Sequence, residues 1–423
     1  MDKLSKQDCN RIIVFINPHF TLGGVDTYFF RMIRWMSVRK IRSILLLTKN
    51  AKVDEQLIKQ VKEMGTEVRM EIEPYPVTGE MSPTKIDLHL PDGSDVIAMT
   101  TRHAGFYVAN RLRIDNPKVK FTFMDYMTHV NGYKADVENK TKEEIGGLRY
   151  FYRQKRYQHY KKITRKMFES QEIFFQNDIH RYSLYDYYGW NHEDTVGANI
   201  PLGIDIPELD EEAIVRRSKR ETFMLLTVSR FEFPFKAYLL GLVKQFEVLC
   251  ERYDNLELVI IGGGPDEERL RAAIRELKSE VQKKISMPGY VDYDKLHDYF
   301  EKTSLYVGQG TTVLDAGKQG VLAVPVAFYT EECRSYSYLY QYVEIYAPEA
   351  KYDTSKFIKE VIQMSDEEYI DICKKTYENV KKELDLENVM PHILKVQNAP
   401  NRYELSRLEL WMIKKLNMMI LNR

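Results

Sequence analysis

The sequence predicts an α/β protein made of two doubly wound domains that face each other across a cleft. Two observations lead to this expectation. Apolar, β-branched runs alternate with amphipathic helical segments in both halves of the 423-residue chain, and an acidic, loop-like stretch near residue 205 separates the two series. Such alternation indicates parallel sheets covered by helices on both faces. We therefore expect ligands at the carboxyl ends of the strands.

The first domain is predicted to span residues 1–203. Its first strand is followed by a glycine-containing loop and a helix, in which Phe29, Ile33 and Met36 recur at helical spacing. The C-terminal segment 402–423 is predicted to be an amphipathic helix that packs back on this domain. The strand candidates are 10–18, 41–48, 95–101, 120–126, 172–178 and 195–205.

The second domain is predicted to span residues 204–401, where the same alternation begins again. Between its strands lie charged amphipathic helices such as "DEERLRAAIRELKSEVQ". The strand candidates are 222–231, 256–264, 285–291, 304–310 and 322–328.

Composition excludes several classes of protein. The 62 basic and 62 acidic residues cancel, and the four cysteines form no CxxC pattern, so neither a zinc site nor a disulfide framework is expected. The N-terminal "MDKLSKQDCN" has no signal-peptide core. No apolar run reaches the roughly 18 residues of a transmembrane helix. We expect a cytoplasmic chain.

One segment departs from the balanced charge. Residues 149–168, "RYFYRQKRYQHYKKITRKMF", interleave basic and aromatic side chains. A solvated face on a packed helix explains this pattern, and so does peripheral contact with an anionic membrane surface. Nucleic acid attracts the same composition but fits least well, and we expect no nucleic-acid partner.

The glycine-rich turn after the strand at 256–264 tests for a dinucleotide site. Gly262 and Gly264 fit the G-x-G-x-x-G fingerprint, but Glu267 stands where the third small residue belongs. The next strand is not followed by an acid at the required distance. A tight strand-to-helix turn with Pro265 in the first helical turn explains the glycines, so an NAD(P)-dependent oxidoreductase is improbable.

Two other strand ends carry ligand-binding residue types. Arg230 and Lys236 lie between a strand end and a helix start, where cations and free N–H groups suit a diphosphate. In "VGQGTTVLDAG", Gly308 and Gly310 let the backbone approach a ligand. Thr311 and Thr312 are expected to cap the next helix, with Asp315 in its first turn.

These segments carry a family resemblance. The series "VSRFEFPFK", "LVIIGGGPDEERL", "MPGYVDYDKLHDYF" and "VGQGTTVLDAGKQGVLAVPVA" resembles the donor-binding domain of GT-B glycosyltransferases, specifically the retaining glycosyltransferase family 4. In the first half, "GGVDTYFFRMIRWM" resembles the family's glycine-rich loop and first helix, and "NIPLGID" its turn into the linker. The resemblance implies two Rossmann-like domains in the GT-B arrangement.

The resemblance also implies residue roles. Arg230 and Lys236 would neutralise the donor diphosphate, and Asp315 would hold the ribose. The family's first-domain histidine would be His129, with His103 as a weaker competitor. Val307 stands where the family has the first glutamate of its E-x7-E motif, which is a departure. The remaining donor-binding residues would be Gly23, Gly24, Gly308, Gln309, Gly310, Thr311 and Thr312.

The implied chemistry is transfer of a sugar from a nucleotide-diphosphate donor to a hydroxyl, with retention. We expect a glycan or lipid-linked acceptor in bacterial surface-polysaccharide assembly, reached at the inner face of the plasma membrane through residues 149–168. No cofactor and no essential metal are expected, because Arg230 and Lys236 replace the metal. The D-x-D pair Asp292 and Asp294 is attributed to helix capping. A non-catalytic nucleotide- or partner-binding protein is the alternative, and a sugar-nucleotide epimerase is a further option.

Overall fold

The chain forms two compact units. The first consists of Met1–Ile204 and Leu386–Arg423, and the second of Asp205–Asp385. The computed structural model describes residues 5, 10–21, 23–76, 79–127, 141–191, 199–292, 295–343, 350–400 and 402–421.

The first unit contains a six-stranded parallel sheet in the order β3-β2-β1-β4-β5-β6. The winding direction therefore reverses between β1 and β4, which are hydrogen-bonded neighbours. Ligands in doubly wound sheets bind at such a reversal, outside the carboxyl ends of the strands. The strands are β1 (Ile12–Asn17), β2 (Ser43–Thr48), β3 (Glu67–Ile72), β4 (Asp95–Thr100), β5 (Lys120–Met127) and β6 (Ile173–Phe175).

Helices cover this sheet because their apolar stripes need burial. In the first of them, Phe29, Met32, Ile33 and Met36 are fully buried, as the helical spacing in the sequence predicts. The helices of the first unit are α1 (Gly24–Val38), α2 (Glu55–Glu63), α3 (His103–Asp115), α4 (Lys142–Ile145), α5 (Gly147–Glu169) and α6 (Asp178–Tyr188), with α15 (Leu386–Leu394) and α16 (Arg407–Leu421) near the C-terminus.

The second unit repeats this topology with five parallel strands in the order β11-β10-β7-β8-β9. Its reversal lies between β7 and β10. The strands are β7 (Phe223–Arg230), β8 (Leu256–Gly263), β9 (Ile285–Gly289), β10 (Leu305–Gly308) and β11 (Ala323–Pro325), beside a small antiparallel pair, β12 (Arg334–Ser335) and β13 (Tyr352–Asp353). The helices are α7 (Glu211–Ser218), α8 (Tyr238–Cys250), α9 (Glu267–Arg275), α10 (Ser279–Gln282), α11 (Leu296–Phe300), α12 (Thr311–Gly317), α13 (Thr354–Ile362) and α14 (Asp366–Leu384).

Residues 386–401 group with the first unit, although the sequence analysis assigned them to the second domain. Arg11, which precedes β1, is the physical reason. Its Nη1 donates to the carbonyl oxygens of Leu394 and Val396 at 2.7 Å each, and this nearly buried guanidinium fastens the end of α15 to the first sheet. Farther along, α16 packs against α3 and α5 within the same unit.

The stretch 195–205 does not form the expected strand in its described part, residues 199–205. It contains single bridge residues only, of which Asn199 pairs with Phe175. Conversely, the structure contains a strand, β3, that the sequence analysis did not predict.

Candidate functional site

The candidate site lies at the winding reversal of the second sheet. Leu225 and Leu226 of β7 pair with Leu305 and Tyr306 of β10, so the loops that follow these two strands leave the same edge of the sheet. Arg230 is the last residue of β7, and Gly308 is the last residue of β10. The structure therefore brings together the two segments that the sequence analysis singled out.

Lys236 is the most unusual group at this edge. The residue is only 8% exposed, and its Nζ lies 4.6 Å from the ring centre of Phe235 and 5.5 Å from that of Phe328. These two rings stack with centres 5.0 Å apart. In the part of the chain that the structure describes, no carboxylate lies within ion-pair distance of this ammonium group.

The electrostatics of Lys236 follow from this setting. Burial lowers its pKa to about 8, the nearby positive charge of Arg230 lowers it as well, and Glu232 acts in the opposite direction. A buried cation without a counter-ion is costly unless an anion arrives to pair with it. Lys236 is therefore suited to receive an anionic ligand.

Arg230 differs from Lys236 in exposure. Its side chain is 72% exposed, and its Nη1 lies 3.5 Å from Glu232 Oε2. An exposed pair of this kind contributes little to stability, so the guanidinium can change partners at little cost. The two predicted cations thus form one exposed and one buried positive charge at the same strand end.

Gly310 places the second loop beside Lys236. A β-carbon built on Gly310 would lie 3.9 Å from Lys236 Nζ, and the φ of Gly310 is +79°. This residue is also the N-cap of α12, with no side-chain cap hydrogen bond. The expectation that Thr311 and Thr312 cap this helix is wrong, because the helix already begins at Thr311.

Two of the predicted loop side chains turn inward. Gln309 is 3% exposed and donates from Nε2 to the carbonyl oxygen of Ala327. Thr312 Oγ1 lies 2.6 Å from the hydroxyl of Tyr306, which itself donates to the carbonyl oxygen of Val228 at 3.3 Å. These contacts hold the loop against β7 and against the segment that follows β11. Thr311, in contrast, is only half-buried.

Tyr306 is a component of this site that the sequence analysis missed. Burial raises the pKa of its hydroxyl well above the ordinary value, so the group stays neutral. Its hydrogen bonds connect Thr312 to the backbone of Val228. Strand alternation in "SLYVGQG" could have indicated that Tyr306 and Val307 face opposite sides of the sheet.

Asp315 lies in the second turn of α12 rather than in its first. Its carboxylate is 3% exposed and forms an ion pair with Lys318 at 2.9 Å. Val307, eight residues earlier, is fully buried in the apolar core of the second unit. A glutamate at position 307 would therefore enter the core rather than the loop.

The glycine-rich turn after β8 has a structural cause. A β-carbon on Gly262 would lie 1.9 Å from the carbonyl oxygen of Ser229 on the neighbouring strand, and the φ of Gly262 is +129°. Only glycine fits there. The approach of two backbones requires this residue, with no need for a dinucleotide.

In the first unit, Gly23 is the N-cap of α1 and, as a glycine, supplies no side-chain cap. A β-carbon on Gly24 would meet nothing within 4 Å, so packing within the described residues gives no reason for a glycine at that position. His129 lies outside the described residues. His103 is buried against Tyr107 and Tyr160, and burial lowers its pKa to about 3, which identifies it as a core histidine.

The structure adds a histidine that the sequence analysis did not consider. His19 follows β1, and its Nδ1 lies 3.2 Å from Oδ2 of the fully buried Asp26.

In the described ranges, no group of three or more His, Cys, Asp or Glu side chains is arranged to hold a metal ion.

Comparison with solved structures establishes the fold. A glycosyltransferase from Rickettsia africae superposes with a TM-score of 0.58 at 13% identity, covering 91% of this chain and 96% of the other. HepE from Anabaena, solved with UDP and glucose, superposes with a TM-score of 0.55 at 10% identity, covering 90% of this chain and 97% of the other. A mutant of TarM from S. aureus, solved with fondaparinux, alpha-GlcNAc-glycerol and UDP, superposes with a TM-score of 0.58 at 11% identity. The match covers 91% of this chain and 100% of the other.

Two parallel α/β units of Rossmann type, together with these likenesses, define the GT-B fold. Residues 210–331, which include the whole candidate site around Lys236, match the family described as Glycosyl transferases group 1. The chain therefore has the GT-B fold, and its residues 210–331 form a group 1 glycosyltransferase domain. No curated protein is significantly similar to it in sequence.

Proposed function

We propose that this protein moves a sugar from a nucleoside diphosphate donor to a hydroxyl of a glycan or lipid-linked acceptor, with retention of anomeric configuration, in bacterial surface-polysaccharide assembly. One observation carries the donor part of the proposal. Lys236 is a nearly buried cation without a carboxylate partner in the described chain, at the strand end where such sheets bind ligands. A diphosphate supplies the missing negative charge.

The reaction needs stabilisation of its leaving group. The bond between the anomeric carbon and the diphosphate oxygen breaks, and the acceptor oxygen bonds to that carbon while its proton passes to the departing phosphate. Negative charge on the diphosphate grows in the transition state, where Lys236 and Arg230 stabilise it. Because these two cations supply the positive charge, we propose no metal and no cofactor.

The remaining donor contacts follow from the loops. Gly310 lies beside Lys236, and the loop of residues 308–312 would surround the distal phosphate and the sugar. Asp315 already forms an ion pair with Lys318. To hold the ribose, its carboxylate would give up part of that contact and accept hydrogen bonds from the ribose hydroxyls. Gly23 and Gly24, at the start of α1, are proposed as further donor contacts.

Peripheral contact with an anionic membrane is proposed for the N-terminal half of α5. Leu148 and Phe151 are 63% and 52% exposed, and Lys155 Nζ lies 5.5 Å over the ring of Phe151. Apolar groups next to exposed lysines suit a lipid headgroup layer. The other half of α5 is explained by packing, because Tyr160, Ile163, Met167 and Phe168 are buried.

The site of action would be the cytoplasmic face of the plasma membrane. Every helix in the described ranges is too short or too polar to cross a bilayer. Attachment would therefore depend on the surface of α5. A charge reversal, Lys155→Glu, should weaken sedimentation with vesicles containing phosphatidylglycerol, whereas Lys302→Glu on the second unit should not. Equal sedimentation of both variants and wild type would contradict this contact.

Calorimetric titration with UDP, GDP, dTDP, ADP and NAD tests the donor site. We expect tight binding of one nucleoside diphosphate and a loss of at least tenfold in Lys236→Ala. The matched control is Lys244→Ala, an exposed lysine on α8, which should bind as wild type does. Binding of none of these ligands, or of NAD alone, would overturn the proposal.

A second candidate function is non-catalytic binding of a nucleotide or of a partner enzyme. The observation that favours it is Val307, an apolar core residue at the position of a family acid. The two candidates differ in turnover. Incubation with the sugar conjugate of the preferred nucleotide and analysis of the product would show transfer or hydrolysis for an enzyme, and unchanged donor for a binding protein.

A further inference from the structure

The winding reversal of the first sheet contains an arrangement that the donor site does not use. β1 and β4 are neighbours there, and the residues just beyond their carboxyl ends meet. His19 Nε2 lies 3.2 Å from Arg102 Nη2, although the two residues are 83 positions apart in sequence. The contact therefore bridges the crevice at which a doubly wound sheet binds its ligand.

The hydrogen-bond pattern assigns different roles to the two ring nitrogens of His19. A guanidinium group has only donors, so His19 Nε2 must accept from Arg102. The remaining ring proton then lies on Nδ1, which donates to Asp26 Oδ2 at 3.2 Å. In this arrangement Nδ1 is the donor of the ring and Nε2 is the acceptor, with the Nε2 lone pair directed outward.

Asp26 is held in place to maintain this orientation. It is fully buried in the first turn of α1. Its carboxylate accepts from Asn17 Nδ2 at 2.6 Å and from the backbone N–H of Thr21 at 2.8 Å. The carboxylate therefore keeps its position independently of His19, and the ring, whose side chain is 38% exposed, presents Nε2 to the surface.

The guanidinium of Arg102 has hydrogen-bond donors available for a further, anionic partner. It is exposed, and in the described part of the chain no carboxylate lies within ion-pair distance of it. Among the described residues, its side-chain partner is the ring of His19. Arginine binds phosphate and carboxylate groups bidentately and more strongly than it binds an imidazole, so an anion would draw Arg102 away and leave Nε2 free to accept.

We propose that His19 and Arg102 form an acceptor subsite for a hydroxyl next to an anionic group, with the hydroxyl donating to His19 Nε2 and the phosphate or carboxylate bound by Arg102. This rests on the proposed function, because it assigns the substrate class of the acceptor: a molecule with a phosphate or carboxylate adjacent to the reacting hydroxyl. His19 is a positioning residue that orients the acceptor oxygen, and Arg102 determines specificity.

The test uses the full chain labelled with ¹⁵N in its nine histidines and the NMR resonances of the ring nitrogens. His19→Gln identifies the His19 signals, and we expect the proton on Nδ1. Glycerol 3-phosphate should shift the Nε2 resonance saturably, and glycerol should not. Arg102→Gln should raise the dissociation constant at least tenfold, Arg102→Lys should restore part of the affinity, and Arg42→Gln on the same unit should leave it unchanged.

Three results would overturn the inference: a proton on Nε2 in the free protein, no shift with glycerol 3-phosphate, or an equal shift in Arg102→Gln. This measurement needs neither donor nor turnover. Its failure is therefore separate from the failure of nucleotide binding at Lys236, which the calorimetric titration measures.

Discussion

Lys236 and Gly310 lie against each other at the carboxyl edge of the second sheet, with only 3.9 Å between Lys236 Nζ and the place where a β-carbon of Gly310 would stand. The lysine arrives from the loop after β7, and the glycine from the loop after β10. An anion that pairs with the ammonium group therefore comes within reach of the backbone of both loops. The missing side chain at position 310 keeps this space open.

Gly310→Ala should weaken binding of the preferred nucleoside diphosphate by about tenfold or more. The added methyl group narrows the space beside Lys236, and the φ of +79° is unfavourable for alanine. Calorimetric titration measures the loss. Gly65→Ala is the matched control, because its φ of +84° imposes the same strain without nearby atoms. Similar affinity losses in both variants would indicate general strain rather than a local effect.

Nucleotide affinity should fall as the pH rises above 8. The pKa of Lys236 in the free protein is about 8, and a bound diphosphate raises it because negative charge favours the ammonium form. Binding above pH 8 therefore requires uptake of a proton. At pH 9 only about a tenth of the free protein is charged at this position, so the affinity should be about tenfold lower than at pH 7.

Lys236→Arg provides the control for this pH profile. A guanidinium stays protonated throughout the range, so the affinity of the variant should be nearly independent of pH between 7 and 9, even if it is lower overall. A wild-type profile as flat as that of Lys236→Arg would contradict the lowered pKa. Titration calorimetry in two buffers of different ionisation enthalpy also measures the proton uptake directly.

A second buried ionisable group makes a prediction about stability. Glu172, just before β6, is 2% exposed, and burial raises its pKa to about 8. It lines a cavity of about 20 Å³ together with Arg113, Arg402 and Glu404, which is room for one water molecule. Its Oε2 has no hydrogen-bond partner among the described residues.

The sign of the effect follows from proton counting. Between about pH 4.5 and 8, the folded protein keeps the proton of Glu172 while the unfolded chain loses it, so stability falls as the pH rises through this window. Glu172→Gln cannot lose a proton and should remove this decrease, which corresponds to at least about 2 kcal/mol. Thermal unfolding at pH 5 and pH 8 measures it.

Glu169→Gln is the matched control for Glu172→Gln, because Glu169 is an exposed glutamate at the end of α5 that pairs with Arg165. Its effect on the melting temperature should be small at both pH values. If Glu172→Gln lowered the melting temperature more at pH 8 than at pH 5, the assigned direction of the pKa shift would be wrong.

The sequence predicted the sheets where burial dictates the pattern. β1 and β4 lie inside the predicted runs 10–18 and 95–101, because strands that are covered on both faces show nearly continuous apolar sequence. β3 was missed because it is an edge strand with the charged residues Glu67, Arg69 and Glu71, and neither a continuous apolar run nor a buried face distinguishes such a segment from a loop.

The candidate site was predictable only where its residues are close in sequence. Arg230 and Lys236 lie in one loop, so their type and spacing indicated an anion site. The contact between His19 and Arg102 depends on the adjacency of β1 and β4 in the sheet, which no local pattern encodes. The inward orientation of Gln309 likewise depends on the position of Ala327 in space.

Restoring the family acid with Val307→Glu should destabilise the protein and should not improve nucleotide binding. The side chain of Val307, on β10, is fully buried in the apolar core. Its partner on the neighbouring strand β11 is Val324. An unpaired carboxylate there is expected to cost about 3–5 kcal/mol. Val307→Thr separates charge from shape, since it keeps the β-branched form, and should cost less.

Chemical denaturation of both variants, followed by nucleotide titration of the folded fraction, tests this directly. A Val307→Glu variant as stable as wild type and with tighter nucleotide binding would mean that position 307 reaches the donor.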